Sequence, residues 1–239
     1  ANIIFYPIPY TLENVGEHTY TITEDKGRTT ENGVTFTDRS FTVTVNVTDD
    51  GDGTMTADPT YPDGGVAFTN EYVPEPTDYA PAVEKTLTGH KLPDGETKEF
   101  TFTLTADRDN PAGAALPAVR TLSIPISGKT TEAAVTAIDA FGNITFSKAG
   151  TYSFTIEETA GSESYYSYDA AKWTLTVVVS DDGLGHLSKT VSYKSDQEET
   201  MANTDAAKFS NEYHPNPTTA KLTVSKVVEG QELPDDPDY

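Results

Sequence analysis

The pentapeptide Phe209-Ser210-Asn211-Glu212-Tyr213 constrains the fold of this chain most, and it recurs almost unchanged as Phe68-Thr69-Asn70-Glu71-Tyr72. Alternate residues of a β-strand share one face, so Phe209, Asn211 and Tyr213 point the same way. The two aromatic side chains would face a core, which places an asparagine amide inside it. Burying an amide without a hydrogen-bond partner costs about 1–3 kcal/mol, so we expect partner side chains nearby.

Two further strands break the apolar pattern in the same way. Lys85 shares a strand face with Val83 and Leu87, and Glu158 ends the apolar face of a strand that begins at Tyr152. Charged side chains are almost never fully buried unless they are paired. The sequence therefore predicts that Lys85, Glu158 and Asn211 meet.

The composition is typical of an all-β protein, because Thr, Val, Tyr and Phe recur in short alternating runs. The nearest approach to a helical pattern is Thr130–Ala140. The formal charge of −22 without a basic cluster argues against nucleic acid and anionic membrane surfaces as partners. The 239 residues contain no cysteine, which excludes disulfides and thiol chemistry.

No apolar run is long enough to insert into a membrane, and neither a signal peptide nor a Leu-Pro-x-Thr-Gly sorting signal is evident. We expect a chain whose ends have been removed or a segment of a longer protein.

Self-comparison indicates a tandem repeat, because Glu24 matches Glu158, Asn70 matches Asn211 and Lys85 matches Lys226. Lys226 lies 141 residues after Lys85 (226 − 85), and Asn211 lies 141 residues after Asn70 (211 − 70). The repeat predicts four segments. Residues 1–73 are the C-terminal portion of a first repeat, and 74–81 are a proline-rich linker. Residues 82–214 are a complete repeat, and 215–239 are a linker with the first strand of a third repeat.

Short strands with polar turns at this spacing predict antiparallel β-sandwich repeats joined by the proline-rich linkers. Within the complete repeat, Phe141–Phe146 and Tyr152–Glu158 are expected to form a hairpin. The strand that begins at Trp173 matches the one that begins at Phe41.

Four motifs occur in order along the complete repeat: Val83–Gly89, Tyr152–Glu158, Tyr168-Asp169 and Phe209–Tyr213. Together they resemble the isopeptide-linkage repeat of Gram-positive pilins and related cell-wall adhesins, an Ig-like sandwich. The resemblance covers the complete repeat and both fragments.

The resemblance implies a spontaneous amide bond between a lysine amine and an asparagine side chain, with release of ammonia and help from a nearby acid. Carried over, the bond would join Lys85 to Asn211 with Glu158 as the assisting acid. Glu24 would be the equivalent acid of the first repeat, and Asn70 and Lys226 would bond to partners outside this chain or in a neighbouring molecule. The resemblance also implies an extracellular location at the cell surface or cell wall.

The chemistry is consistent with the residues themselves. Burial lowers the pKa of a lysine and raises that of a glutamic acid. A neutral amine is a nucleophile, and a neutral Glu158 could donate a hydrogen bond to the asparagine carbonyl and relay protons to the departing ammonia.

Each residue also has a simpler interpretation. Lys85 could extend its amine to solvent at a sheet edge. Glu157 rather than Glu158 could point inward, and Asn211 could only satisfy backbone groups in a turn.

The truncated ends suggest a second hypothesis, head-to-tail strand exchange. If the Lys226 strand of one molecule docked into the open first repeat of another, Lys226 could reach Asn70 with Glu24 assisting.

Neither a cofactor nor a metal is predicted. The run Asp49–Asp52 resembles part of a calcium loop, but a hairpin turn is favoured.

The sequence thus predicts a structural stalk segment of a bacterial surface adhesin or pilus-like protein. It does not predict an enzyme, because the bond forms once per domain. The alternative is a module that binds a glycan or a host protein on the same sandwich. An exposed aromatic cluster at 130–142 or around Tyr165 and Tyr166 would favour that alternative.

Overall fold

The structure is a computed structural model that describes residues 3–25, 30–117, 120–128, 134–202, 204–227 and 229–230. Almost all regular structure in these residues is β, as the sequence predicts. No helix within them is long and apolar enough to cross a membrane. A single turn of 3₁₀ helix, Leu12–Asn14, precedes the strands.

The strands of the first unit form two three-stranded sheets, in the orders β1-β4-β5 and β2-β3-β6. Their bounds are β1 Gly16–Thr23, β2 Thr30–Glu31, β3 Val34–Thr35, β4 Ser40–Asp49, β5 Met55–Thr60 and β6 Glu71–Tyr72.

The second unit has a five-stranded sheet in the order β11-β9-β14-β16-β17, a four-stranded sheet in the order β12-β8-β18-β15, and a small sheet in the order β10-β13-β7. The bounds of its strands are β7 Thr77–Tyr79, β8 Ala82–Gly89, β9 Thr97–Ala106, β10 Ala114–Ala115, β11 Thr121–Ser127, β12 Val135–Ala140, β13 Ile144–Phe146, β14 Gly150–Thr159, β15 Tyr166–Ser167, β16 Lys172–Asp181, β17 Leu187–Ser195 and β18 Ala206–Tyr213.

The two larger sheets of the second unit pack face to face as a sandwich. Alternating burial along β8, β9, β14, β16 and β18 turns one side of each strand inward, as expected for period-two patterning. The inward side chains form one continuous core, in which the rings of Phe102 and Phe209 lie 5.0 Å apart across the two sheets.

The two units share a three-stranded arrangement, since β1-β4-β5 of the first has the same antiparallel order as β14-β16-β17 of the second. Strand β4 contains Phe41 and β16 contains Trp173, which the sequence comparison matched. The first sheet is more exposed, although Val43 and Val47 are buried.

The strand order differs from the sequence expectation in one respect that matters for function. Strands β8 and β18, the first and last of the sandwich, are direct neighbours and run parallel, whereas an all-antiparallel sandwich was expected. Parallel pairing is possible because almost the whole unit lies between the two strands and forms the crossover that parallel strands require.

The weak helical pattern at Thr130–Ala140 does not form a helix in its described residues. Residues 130–133 lie outside the described part, and Val135–Ala140 forms β12, which pairs with β8. Val135 and Ala137 face inward while Ile138 is exposed. Pairing satisfies the backbone groups along the free edge of β8, and this outweighs a weak helical pattern.

The expected hairpin of Phe141–Phe146 with Tyr152–Glu158 is also wrong. Strand β13 pairs with β7 and β10, and β14 pairs with β9 and β16. The two segments meet through side chains, with the rings of Phe146 and Tyr152 4.9 Å apart. Apolar contact between sheets therefore replaces a hydrogen-bonded ladder.

The segment 74–81 was expected to be only a linker, yet Thr77–Tyr79 pairs with β13 as β7. The first unit contacts the second just before it. The Tyr72 hydroxyl donates to Asp181 Oδ1 over 2.7 Å, and the Glu75 N–H donates to the carbonyl oxygen of Gly185 over 2.8 Å. The joint between the units is thus hydrogen-bonded to the β16–β17 turn.

The segment around Lys226 was expected to begin a strand. Its described residues form no strand, and Leu222, Val224 and Lys226 are exposed. An isolated strand has no partner for its backbone groups or its apolar face, so it gains nothing from becoming regular.

Candidate functional site

The amine of Lys85 lies inside the sandwich. Strand β8 alternates so that Val83, Lys85 and Leu87 all face the core, and Lys85 is 0% exposed. Its Nζ lies 4.7 Å from the ring centroid of Phe100 and 5.9 Å from that of Phe102. The interpretation in which the lysine reaches solvent at a sheet edge is therefore wrong.

The carboxyl group of Glu158 contacts this amine. Its Oε2 lies 2.8 Å from Lys85 Nζ, and both side chains are 0% exposed. The neighbouring Glu157 points outward and pairs with Lys172 at 2.5 Å. The alternation along β14 therefore turns Glu158 inward, as predicted, and not Glu157.

The side-chain amide of Asn211 completes the cluster from β18. Asn211 is 1% exposed. In the parallel register Phe209 lies opposite Lys85, and Asn211, the next inward-facing residue of β18, lies opposite Leu87. Its Nδ2 donates to Glu158 Oε1 over 2.6 Å. One carboxyl group thus bridges the lysine nitrogen and the asparagine nitrogen, and the structure brings the three predicted side chains together.

The carbonyl oxygen of Asn211 has a different partner from the expected one. The expected donor to this oxygen was Glu158, but Glu158 faces the amide nitrogen. Asn211 Oδ1 instead accepts a hydrogen bond from the main-chain N–H of Asp169 over 2.7 Å. Because a backbone N–H can only donate, this contact fixes which end of the amide faces the carboxyl group.

Burial sets the protonation of the pair. Desolvation lowers the pKa of Lys85, and the hydrogen bond and charge of Glu158 only partly oppose this. Desolvation likewise raises the pKa of Glu158, against the opposing effect of Lys85. Both shifts favour a neutral amine beside a neutral carboxylic acid, the pair of forms that amide exchange needs.

Asp169 is the residue whose role sequence reasoning missed. It was noted only as part of the Tyr168-Asp169 motif, because it lies in the turn before β16 where strand alternation carries no information. The side chain of an aspartate in a turn often accepts a hydrogen bond from the backbone N–H two residues later, which is a sequence signal that could have been used. Asp169 Oδ1 does accept from the Ala171 N–H over 2.9 Å.

The first unit holds a partial copy of the same arrangement. Asn70 Nδ2 donates to Glu24 Oε1 over 2.8 Å, and Asn70 Oδ1 accepts from the main-chain N–H of Thr37 over 3.0 Å. Glu24 Oε2, the counterpart of the atom that contacts Lys85, is buried, and it has no hydrogen-bond partner among the described residues. Asn70 is exposed, and the described residues of this unit contain no lysine to accompany the acid and the amide.

Metal binding finds no support in the described residues, where no three His, Asp or Glu side chains are grouped to hold an ion. At the β4–β5 turn, Asp49 Oδ1 accepts from Gly51 N–H, and Asp52 Oδ1 accepts from the N–H and hydroxyl of Thr54. These carboxylates serve the hairpin.

Comparison with protein families matches residues 2–73 and 81–214 to the Spy0128-like isopeptide containing domain. The chain belongs to this family. The two matched segments flank the proline-rich segment and correspond to the two units. This match confirms the resemblance to an isopeptide domain that the sequence motifs indicated.

Solved structures similar to this isopeptide-domain chain include major pilins of Streptococcus pyogenes. The T-13 pilin is 19% identical, with 58% of this chain and 53% of that chain covered and a TM-score of 0.43. Another major pilin of that species is 18% identical, with 56% and 50% covered and a TM-score of 0.43. The chain thus spans about half the length of these pilins. A comparison with curated protein sequences found no match.

Proposed function

We propose that this chain is a shaft segment of a pilus-like protein or adhesin displayed on the cell surface and cell wall, and that its second unit cross-links itself. The bond joins Lys85 Nζ to Asn211 Cγ, with Glu158 as the assisting acid. The observation that carries the proposal is the carboxyl group held within hydrogen-bond distance of both nitrogens in a dry core.

The proposed reaction balances without a cofactor. The lone pair of neutral Lys85 Nζ attacks Asn211 Cγ, and the carbonyl π electrons move to Oδ1. Glu158 gives its proton to Nδ2 and receives one from Nζ, so the acid is regenerated. The C–N bond then breaks, ammonia leaves and the new amide carbonyl forms.

Rate comes from placement, because amides are poor electrophiles. Groups fixed in a reactive geometry reach effective molarities on the order of 10⁵ M or more, roughly 7 kcal/mol of the barrier. Strands β8, β14 and β18 are packed in one core, so the three side chains lose little further freedom on reaching the transition state. The reaction occurs once and has no turnover.

The bond would carry load along the chain. It links the first strand of the unit to the last, so tension would pass from β8 to β18 through covalent bonds and largely bypass the rest of the sandwich. It would also close a long loop between Lys85 and Asn211. The chain-entropy model for cross-links assigns about 4–5 kcal/mol to a loop of this size.

Intact mass spectrometry tests this function. The native protein is expected to weigh less than its sequence by one ammonia, and Lys85→Ala, Asn211→Ala and Glu158→Ala should each restore the full mass. Glu157→Ala is the matched control, because Glu157 lies next to Glu158 on the outer face, and this variant should keep the lower mass. A native protein with the full sequence mass would contradict the bond.

A second proposal concerns the first unit, which we infer can accept a lysine-bearing strand. Its support is the buried Glu24 Oε2 beside Asn70, which has no hydrogen-bond partner in the described part of the chain, together with the exposed segment that contains Lys226. In head-to-tail exchange, Lys226 of one molecule would fill this position in the next.

The ligand-binding alternative has weaker support. Tyr165 is 37% exposed, but its ring packs 5.3 Å from that of Tyr166 and 6.2 Å from that of Tyr213. In the segment 130–142, the aromatic residue Phe141 is buried. These rings mainly pack against one another, which fits a shaft better than an aromatic binding platform.

A further inference from the structure

The environment of the Asn211 carbonyl oxygen adds a component to the proposed reaction. When Lys85 attacks, negative charge develops on Asn211 Oδ1. The main-chain N–H of Asp169 already points at this oxygen over 2.7 Å, and Asn211 is 1% exposed. A fixed donor aimed at an oxygen that becomes charged in a water-excluded site is the arrangement known as an oxyanion hole.

The carboxylate of Asp169 holds this donor in place. Its Oδ1 accepts from Ala171 N–H over 2.9 Å, which shapes the turn that contains Asp169. Its Oδ2 accepts from Ser210 N–H over 2.8 Å, on the residue that precedes Asn211. One side chain therefore ties the turn that carries the donor to the strand that carries the acceptor.

The first unit repeats the donor independently. Thr37 precedes Phe41 by the same four residues that separate Asp169 from Trp173. Its main-chain N–H donates to Asn70 Oδ1, and its hydroxyl accepts from Arg39 N–H over 3.4 Å. The side chain differs between the units while the backbone donor and the local turn are retained. The donor therefore accompanies the Glu–Asn pair and does not depend on one particular aspartate.

We propose that the main-chain N–H of Asp169 is the oxyanion donor for isopeptide formation, and that the Asp169 carboxylate is the positioning group that aims it. The inference rests on the proposed Lys85–Asn211 bond. In the tetrahedral intermediate, the new bond is Nζ–Cγ, the electron pair resides on Oδ1, and the Asp169 N–H stabilises it. Glu158 gives its proton to Nδ2 and takes one from Nζ; collapse then returns the electron pair to the carbonyl as the Cγ–Nδ2 bond breaks and Nδ2 leaves as ammonia.

Removal of the donor alone is the direct test. Cell-free translation starts every full-length chain unreacted and allows Asp169 to be replaced by the α-hydroxy acid with the same side chain. The resulting ester has an oxygen in place of the N–H and keeps the side chain; the ester carbonyl is also a weaker acceptor, a change that the control ester below shares. Aliquots are treated with protease to remove unfolded chains, quenched in guanidinium and analysed for the cross-linked peptide over time.

Loss of one oxyanion donor typically slows a reaction by on the order of 10²–10³, and we expect the ester to slow bond formation by that factor. The same replacement at Gly183, whose N–H donates to Asp181 Oδ1 in an exposed turn, is the backbone control and should react at the wild-type rate. An Asp169 ester that reacts at the wild-type rate would overturn the proposal while leaving the bond itself intact. A wild-type chain that never loses ammonia would instead overturn the proposed function.

The positioning role is tested by Asp169→Ala. This variant keeps the main-chain N–H but removes the two hydrogen bonds that the carboxylate accepts, from the N–H groups of Ala171 and Ser210. We expect at least about tenfold slower bond formation, since a misaimed donor loses most of its effect. Asp182→Ala is the control, because Asp182 Oδ1 likewise accepts two backbone N–H groups, those of Leu184 and His186, in the turn between β16 and β17.

A pH series separates loss of the donor from general loosening. Lys85 and Glu158 set the pH dependence of the rate, so it should stay where the wild type has it in the Asp169 ester, which keeps the carboxylate. Asp169→Ala should move it to lower pH, because the negative charge of Asp169 raises the pKa of both groups. A variant that merely admitted water to the core would move it, because the pKa shifts of the pair arise from desolvation. A displaced pH dependence in the Asp169 ester would therefore count against the oxyanion role.

Discussion

At the scale of residues, the account depends on three side chains that would each be unfavourable in a core alone. A buried lysine or glutamate is costly unless paired, and a buried amide needs partners for both of its ends. Here the carboxyl group of Glu158 serves the amine and one end of the amide, and a main-chain N–H serves the other end. The energetic cost of each group is offset only when all are present.

The protonation of the pair predicts how bond formation depends on pH. At low pH, Lys85 and Glu158 are both protonated and the ammonium has no lone pair. At high pH, both are deprotonated and no acid remains to protonate the leaving nitrogen. The rate should therefore follow a bell-shaped profile, with apparent pKa values that belong to the pair.

The profile is measured by chasing newly translated chains at a series of pH values and counting cross-linked peptide. Because burial lowers the pKa of Lys85, the reaction should proceed well below the ordinary lysine pKa of about 10.4. A rate that keeps rising with pH until about 10.4 would show that the Lys85 amine is solvated, and would contradict a buried neutral pair.

Among the elements of the first unit, the strands that the structure describes include none that carries a lysine to the Glu24–Asn70 site. The Lys226 segment has an apolar face, with Leu222 and Val224 exposed, and forms no strand in the described residues. Adding such a strand would pair free backbone edges and supply an amine to Glu24 Oε2. The proposed exchange thus predicts covalent chains of molecules.

Concentrated protein should therefore form a ladder of oligomers that survives boiling in SDS. Lys226→Ala and Asn70→Ala should each abolish it, because each removes one end of the new bond. Lys221→Ala is the control, since it changes a lysine of the same exposed segment that lies on the other face of an extended strand. A concentrated wild-type sample that stays monomeric on SDS gels would contradict the exchange.

Local alternation was sufficient to predict the inward faces of β8, β14 and β18, and hence the meeting of Lys85, Glu158 and Asn211. It was insufficient for strand partners, since the choice of β7 and β10 as neighbours of β13 depends on contacts distant in sequence. The parallel pairing of β8 with β18 was missed for the same reason. Asp169 escaped prediction because its contribution is a main-chain N–H, which no residue type identifies.

At the scale of the whole molecule, continuity along the chain is the property that suits a shaft. The β8–β18 pair lies between the proline-rich segment and the chain that follows Tyr213. The preceding joint is hydrogen-bonded through Tyr72 to the β16–β17 turn. A covalent link inside the unit and a tied joint outside it would together limit extension under load.

The stabilising effect of the bond can be measured with a double variant that leaves no buried charge. Lys85→Met with Glu158→Gln preserves volume and removes both the bond and the ionisable pair. Its unfolding free energy should be lower than that of the wild type by about 4–5 kcal/mol, the loop-closure value.

Guanidinium titration followed by the fluorescence of Trp173 provides the measurement. The slope of unfolding free energy against denaturant should be steeper in the double variant, because an unlinked chain exposes more surface when it unfolds. Equal midpoints and slopes in the two proteins would contradict a covalent constraint.

Tandem mass spectrometry of a proteolytic digest of the native protein tests the Lys85–Asn211 bond itself. We expect one branched peptide, whose arms contain Lys85 and Asn211 and whose mass is lower than that of the two linear peptides by one ammonia. Recovery of separate linear peptides, with a free Lys85 amine and an unmodified Asn211 amide, would contradict it.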